Sequence, residues 1–233
     1  MVKRKKYLTL EGLNRIPWLV HGFGLKGFGR DSLEHDQELS AFHPVEMKQE
    51  HSARVLLIDR APDQKPAVDA LITSRPGLLL LVKTADCLPL FLVDTEHRVV
   101  AAVHGGWRGT AGRLAEITFD SMRRSFPSRP AGVLAALGPA IEASCYEVGQ
   151  EVYDSFSRQG FPAGRIFSSG QKAGKFFLDL RAANFWLLTE IIGLPAENIF
   201  SLDWCTFCQP DLLSYRRQAA EKTRLLNFVG IKD

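Results

Sequence analysis

The segment Lys83–Thr110 carries a thiol and an imidazole at one end of what reads as a β-hairpin. Cys87 precedes the run Leu88–Asp94, a polar turn covers Thr95–Arg98, and Val99–His104 returns to Gly105-Gly106-Trp107-Arg108-Gly109. Short runs of Val, Leu and Phe bounded by a turn have the hairpin pattern. A tight turn pairing Asp94 with His97 would set Cys87 directly opposite His104, with their Cβ atoms roughly 4.5–5.5 Å apart. A longer turn shifts the partner by about one rung and still leaves both side chains at the same end. Three arrangements suit such a pair: a nucleophile with its base, two thirds of a metal site, or a buried thiol beside a histidine bonded to backbone.

The surrounding elements must bring these residues together. Arg54–Ile58, Val68–Thr73 and Leu78–Val82 read as strands before the hairpin, the last buried on both faces. After Gly109 a helical stripe of Ala111, Leu114, Ala115, Thr118 and Met122 is expected, with Thr110 as its N-cap. Val133–Leu137 is a strand. Ser144-Cys145-Tyr146-Glu147 has the form of a capping box opening a helix through Val148, Val152 and Phe156. Phe176–Leu178 is a short strand, Asp179 a helix cap, and Glu197–Asp203 a last strand. His21-Gly22-Phe23-Gly24, with Gly27 and Gly29, lacks the strand and helix that a phosphate-cradling loop needs and reads as a glycine-permitted turn. Strands and helices interleave without repeats or low-complexity linkers. That predicts an α/β fold, a single domain over residues 1–233 with a mixed β-sheet core flanked by helices.

With 233 residues, 45% of them apolar and 24% charged, the chain can build a real core. A formal charge of +3 is too mild to point to nucleic acid, and the basic run Lys3–Lys6 reads as a solvated end. Glu11 and Asn14 interrupt any secretory signal, and the longest apolar run, Leu78–Val82, is too short to cross a membrane. A cytoplasmic protein with reduced thiols is expected, acting as a monomer or homodimer. Cys205 and Cys208 form a C-x-x-C pair that lacks the second pair of a zinc knuckle; Cys145 is a single residue in another segment. The pair is expected to be two reduced thiols on a loop, and Trp107 to pack the hairpin end.

Several stretches together resemble the bacterial family described as multicopper polyphenol oxidase or laccase-like and as purine nucleoside phosphorylase, the YfiH-type proteins. They are Gln49-Glu50-His51, Asp69–Thr73, Thr84–Pro89, Ala101–Thr110, Gly138–Ile141, Cys145–Gly149, Cys205-Thr206 and Ser214–Arg217, in the family's order over about four fifths of the chain. The resemblance implies a metal triad of His51, Cys87 and His104, and a layered α/β/α-type fold shared with certain Cys–His toxin deamidases. Two imidazoles and a thiolate leave a fourth tetrahedral position open, as in catalytic zinc sites. Zn2+ is the expected ion, with copper as an alternative.

The resemblance further implies phosphorolysis of adenosine, inosine or methylthioadenosine by inorganic phosphate, with adenosine deamination as a companion activity. Arg108, at the mouth of the helix after His104, is the candidate for phosphate or substrate orientation, and Arg216 a second. Asp86 is placed either to hydrogen-bond a ligand histidine or to cap a turn. Some features depart from the family pattern. The interval between His21 and Gln49 is short and lacks an Asn-Arg pair, Lys26 stands where Arg is commoner, Gly105 replaces Ala, and Thr223-Arg224 replaces Thr-Gly-Arg. Three rival chemistries stand beside the nucleoside reading. Copper oxidation of phenols needs His-x-His pairs, which the six histidines (His21, His35, His43, His51, His97 and His104) do not form. A metal-free hydrolase or deamidase would use Cys87 as nucleophile and His104 as base. A non-enzymatic, metal-stabilised interaction module is the last.

Overall fold

The computed structural model describes residues 6–220 and 222–233; of the basic run at the start, only Lys6 lies within them. One sheet runs in the order β1 (Tyr7–Leu8), β2 (Leu19–Gly24), β14 (Leu225–Ile231), β6 (Leu78–Thr84) and β3 (His43–Glu46). A second runs β13 (Ile199–Ser201), β9 (Val133–Leu137), β7 (Leu88–Asp94), β8 (Val99–Gly105), β5 (Ala70–Thr73) and β4 (Val55–Leu57). A small third sheet joins β10 (Glu147–Gly149), β12 (Lys175–Leu178) and β11 (Phe167–Ser169). Both large sheets are mixed: β3–β6, β4–β5 and β9–β13 are parallel pairs and the rest antiparallel.

Strict alternation makes each central strand serve two cores. Leu78, Leu80 and Val82 of β6 meet Phe91 and Val93 of β7 and Val100 and Ala102 of β8, so the two sheets pack face to face. Leu79 and Leu81 face the other way, toward Leu33 of α2 (Arg30–Glu34). On the far side of the second sheet, Leu88, Leu90, Leu92 and Val103 pack against α4 (Leu114–Ser125), α5 (Gln150–Arg158) and α7 (Leu180–Trp186). A mixed sheet core flanked by helices is therefore what the chain builds, and the core has two sheets rather than the one of an α/β/α sandwich. Among the described residues no helix is long and apolar enough to cross a membrane.

Most expected strands are present: β5 to β9, β12 and β13 lie within or beside their sequence-predicted runs. The hairpin register differs. Asp94 pairs with Val99, so Pro89, not Cys87, lies opposite His104. The cause is the turn. Asp94 Oδ1 accepts the N–H groups of Glu96 and His97 at 2.9 and 3.0 Å, and Arg98 takes a left-handed φ of 51°, which leaves four residues in the loop. His21–Gly24 is not a turn but part of β2, buried throughout. Its glycines serve close approach: a Cβ on Gly22 would lie 2.4 Å from the Phe228 ring. The capping-box reading at Ser144 is also corrected, because Glu147–Gly149 pairs with β12 and the helix starts only at Gln150. Thr110 does not cap a helix. It lies inside the short α3 (Trp107–Ala111), and a break at Gly112 and Arg113, φ 59°, precedes α4.

Phe23 of β2 is fully buried between the sheets and stacked on Phe91, centroids 4.9 Å apart and 12° from parallel. Replacing it by alanine should lower unfolding stability by about 3–5 kcal/mol, read as a lower urea midpoint with an unchanged slope.

Candidate metal centre

The site lies where the chain crosses from the first sheet to the second. β6 ends at Thr84, Asp86 turns the backbone at φ 86°, and Cys87 stands just before β7. The Asp86 carboxylate accepts the Thr206 hydroxyl at 2.7 Å and the Arg216 amide at 2.6 Å. It caps a loop, and both of these donors come from the segment 206–216 rather than from a histidine.

The carboxylate that orients a ligand is Asp69, fully buried. It accepts from His104 Nδ1 at 2.9 Å, from Ser52 N–H and O–H at 2.7 Å each, and from the amides of His51 and Glu50 at 3.1 and 3.2 Å. The first contact leaves Nε2 of His104 free to face the centre. The others hold the loop between β3 and β4 in place, including His51 at a left-handed φ of 57°, a conformation a non-glycine residue keeps only when its surroundings enforce it. In the sequence Asp69 stands only within the strand-like run Val68–Thr73. Its role becomes visible once residues 50–52 are seen to wrap around it.

The ligating atoms of His51, Cys87 and His104 all lie within 4.8 Å of one another, and the two imidazoles meet at 70° with centroids 4.9 Å apart. Gly106 lies against all three. A Cβ there would come within 3.1 Å of Cys87 Sγ, 3.3 Å of His51 Cδ2 and 3.7 Å of His104 Cε1. At Gly105 a Cβ would come 2.8 Å from the Leu88 carbonyl, which accounts for glycine at that departure from the family pattern. Burial pushes the Cys87 thiol up, but the positive charge of His104 and hydrogen bonds from His104 and His51 outweigh it and bring it down to about 6. Burial likewise lowers His104, yet the Cys87 charge and the Asp69 hydrogen bond raise it to about 9. Between those values the metal-free pair is a thiolate facing an imidazolium. A divalent cation would take the place of that proton, so two imidazoles and a thiolate with an oriented tautomer fit such an ion.

A cleft of about 490 Å³ opens onto the three side chains, lined also by Gln49, Lys83, Tyr215 and Arg224. That is within the usual range for a small-molecule site. Gln49 is locked to the Lys83 backbone through both amide atoms at 2.8 Å, and Lys83 Nζ reaches Glu46 at 2.8 Å. Arg108 and Arg216 are not among the cleft-lining residues. Arg108 is exposed and its guanidinium lies 4.3 Å over the Trp107 ring. The Arg216 guanidinium bonds Glu147 O at 2.9 Å and stands 5.2 Å from the Tyr146 ring. The Tyr146 phenol is held well above its ordinary value, chiefly by burial and then by the Cys87 charge. Lys83 carried no functional signal in the sequence, and Arg224 appeared there only as a substitute in the family's tail motif. Of the other histidines, His21 is buried, accepts the Leu10 amide at 2.9 Å and is lowered to about 4 by burial. His97 bonds Asp94 at 2.9 Å.

A sequence profile described as multi-copper polyphenol oxidoreductase laccase matches residues 29–232. The chain belongs to that family. Among relatives, a Bacteroides thetaiotaomicron protein named purine nucleoside phosphorylase is 32% identical over 99% of this chain and 80% of its own length. A protein from an unknown prokaryotic organism named adenosine deaminase RL5 is 40% identical over 79% of this chain and 72% of its own. Among solved structures, the Bacillus licheniformis hypothetical protein YfiH superposes with a TM-score of 0.89 at 26% identity, covering 100% of this chain and 98% of that one. YlmD from Geobacillus stearothermophilus gives 0.88 at 27%, with the same coverage.

Asp69→Asn should keep the fold but remove the acceptor that sets the His104 tautomer, weakening metal binding about 10- to 100-fold in a competition titration against a chelating dye. In metal-free protein, alkylation at Cys87 should rise through about pH 6, because the thiolate that reacts forms as pH increases past that value. Peptide mapping of the alkylated protein over a pH series reads this directly; onset near the ordinary thiol range would contradict the His104–Cys87 pairing.

Proposed function

We propose that this chain is a metal-dependent purine nucleoside phosphorylase with adenosine deaminase activity. The observation that carries the proposal is the convergence of His51, Cys87 and His104 at the floor of a cleft that also presents Lys83 and Arg224. The names of relatives at 32% and 40% identity support the nucleoside substrate class. We take residues 1–233 as one catalytic unit, a monomer or homodimer in the cytoplasm. Zn2+ held by His51, Cys87 and His104 would supply Lewis-acid polarisation, and the same donors accept copper.

The chain's own residues do the remaining work. Phosphate attacks the ribose anomeric carbon as the glycosidic bond breaks, and the purine leaves with the bonding electron pair and takes up a proton. Charge develops on sugar and base together, so pre-placed cations and donors lower the barrier. Lys83 and Arg224 line the cleft and hold phosphate, with the Lys83 ammonium shared with Glu46. Tyr215, 54% exposed at the rim, offers a ring face to the purine. Arg108 and Arg216, the candidates for orienting phosphate or substrate, stand beside Trp107 and Tyr146 outside the cleft lining. In deamination, water attacks purine C6 in the same cleft and ammonia departs.

A second reading is favoured by one feature: Asp69, His104 and Cys87 also line up as orienter, base and nucleophile. It leaves His51 and the Gly106 cradle unexplained. Laccase chemistry has less support, since only His51 and His104 of the six histidines belong to a potential metal-ligating group among the described residues.

Purified protein should convert inosine and adenosine to ribose 1-phosphate and free base only when phosphate is present, and adenosine to inosine without it. Chelation should abolish both. Absence of all these products, or chelator-resistant turnover with a covalent adduct on Cys87 in the intact mass, would overturn the proposal.

A further inference from the structure

The other three cysteines meet at a second place in the fold. Cys145 closes the 3-10 turn Ala143–Cys145, while Cys205 and Cys208 bracket a turn 60 residues further on in sequence. The fold thus brings Cys145, a single residue in another segment of the sequence, beside the C-x-x-C pair. Its Sγ lies 3.4 Å from that of Cys208, and all three sulfurs are within 4.8 Å of one another. All are free thiols. A tetrahedral ion with metal–sulfur bonds near 2.3 Å has sulfur–sulfur edges of about 3.8 Å, so small side-chain rotations would close the set on one ion.

The backbone around them is fixed independently of any ion. Cys205 is buried and bridges to Ala140. Its Sγ accepts the Glu142 amide at 3.5 Å, and the amides of Phe207 and Cys208 also point at it. Amides donated to the first sulfur of a C-x-x-C turn favour its thiolate over the thiol. Arg217 grips the same turn, donating to the carbonyls of Thr206, Phe207 and Gln209 at 3.0, 2.6 and 3.1 Å and also to Leu212. Cys208 is exposed, which gives an ion a route in.

We propose that Cys145, Cys205 and Cys208 form a second metal site, separate from the His51–Cys87–His104 centre, that takes a soft thiophilic cation such as Zn2+. Three converging sulfurs set it apart from a disulfide pair, which would use only two of them. Such an ion fastens the segment at 142–145 to the loop at 205–208. That loop reaches the first centre through Thr206, whose hydroxyl holds Asp86 beside Cys87.

The test is a cobalt titration of fully reduced, metal-free protein under anaerobic conditions, with zinc displacing the bound cobalt. Wild type should bind one more cobalt ion per chain than the Cys145→Ser/Cys208→Ser double variant, and sulfur-to-metal absorption should fall roughly fourfold as the ligating thiolates drop from four to one. His51→Ala/Cys87→Ser should retain the three-sulfur spectrum. Equal stoichiometry in wild type and double variant overturns the site, whatever the nucleoside assays give. Should the double variant fail to fold by circular dichroism, Cys208→Ser at the exposed position serves in its place. A wild-type spectrum with no three-sulfur component is equally fatal.

Discussion

One buried carboxylate organises the catalytic end of this molecule. Asp69 takes five hydrogen bonds, four from the main and side chains of residues 50–52 and one from His104. A carboxylate without water is stable only when donors surround it, and these donors hold its ionised form well below the usual carboxylate range against the burial that pushes the other way. The donors are at the same time the elements that carry two of the three ligands. Satisfying Asp69 therefore places His51 and orients His104 in one step, and the cost of burying the charge is what makes that arrangement specific.

The third ligand is set by different means. Cys87 follows a residue at positive φ, in the crossing between two sheets whose facing sides are filled by Leu80, Val82, Phe91 and Val100. Sheet packing fixes the crossing to within a side chain, and Asp86 fixes it further by tying the crossing to Thr206 and Arg216. Cys87 and His104 then perturb each other in opposite directions, the thiol downward and the imidazole upward. A site assembled from a loop, a crossing and a strand end has no contiguous sequence signature beyond its motifs.

What the sequence made legible follows from this. Strands with uninterrupted apolar runs, such as Leu78–Val82 within β6, could be read from local pattern, because burial on both faces leaves a clear trace. β2 and β14 could not. Gly22 and Gly24 look like turn residues, and Asn227 and Gly230 break the run Leu225–Ile231. Each is explained only by a distant partner: Gly22 by the Phe228 ring, Asn227 by its bonds to Val82 O and Thr84 Oγ1. The triad came from motif resemblance, while the hairpin register that first suggested Cys87 beside His104 was displaced by the Asp94 carboxylate in the turn. The cleft lining has a similar origin. Proximity in sequence singled out Arg108, whereas Lys83 and Arg224 line the cleft from adjoining strand ends.

β14 lies between β2 and β6 in the first sheet, pairing with both along its length. Its Asn227 bonds a carbonyl 145 residues earlier in the chain. During synthesis on the ribosome, β2 and β6 must therefore wait with a strand-wide gap between them until residues beyond 225 emerge. Contacts of such long sequence separation form slowly, and open strand edges invite pairing with other chains in the interval. The first sheet therefore reaches full pairing only after β14, its latest strand in chain order, has been made.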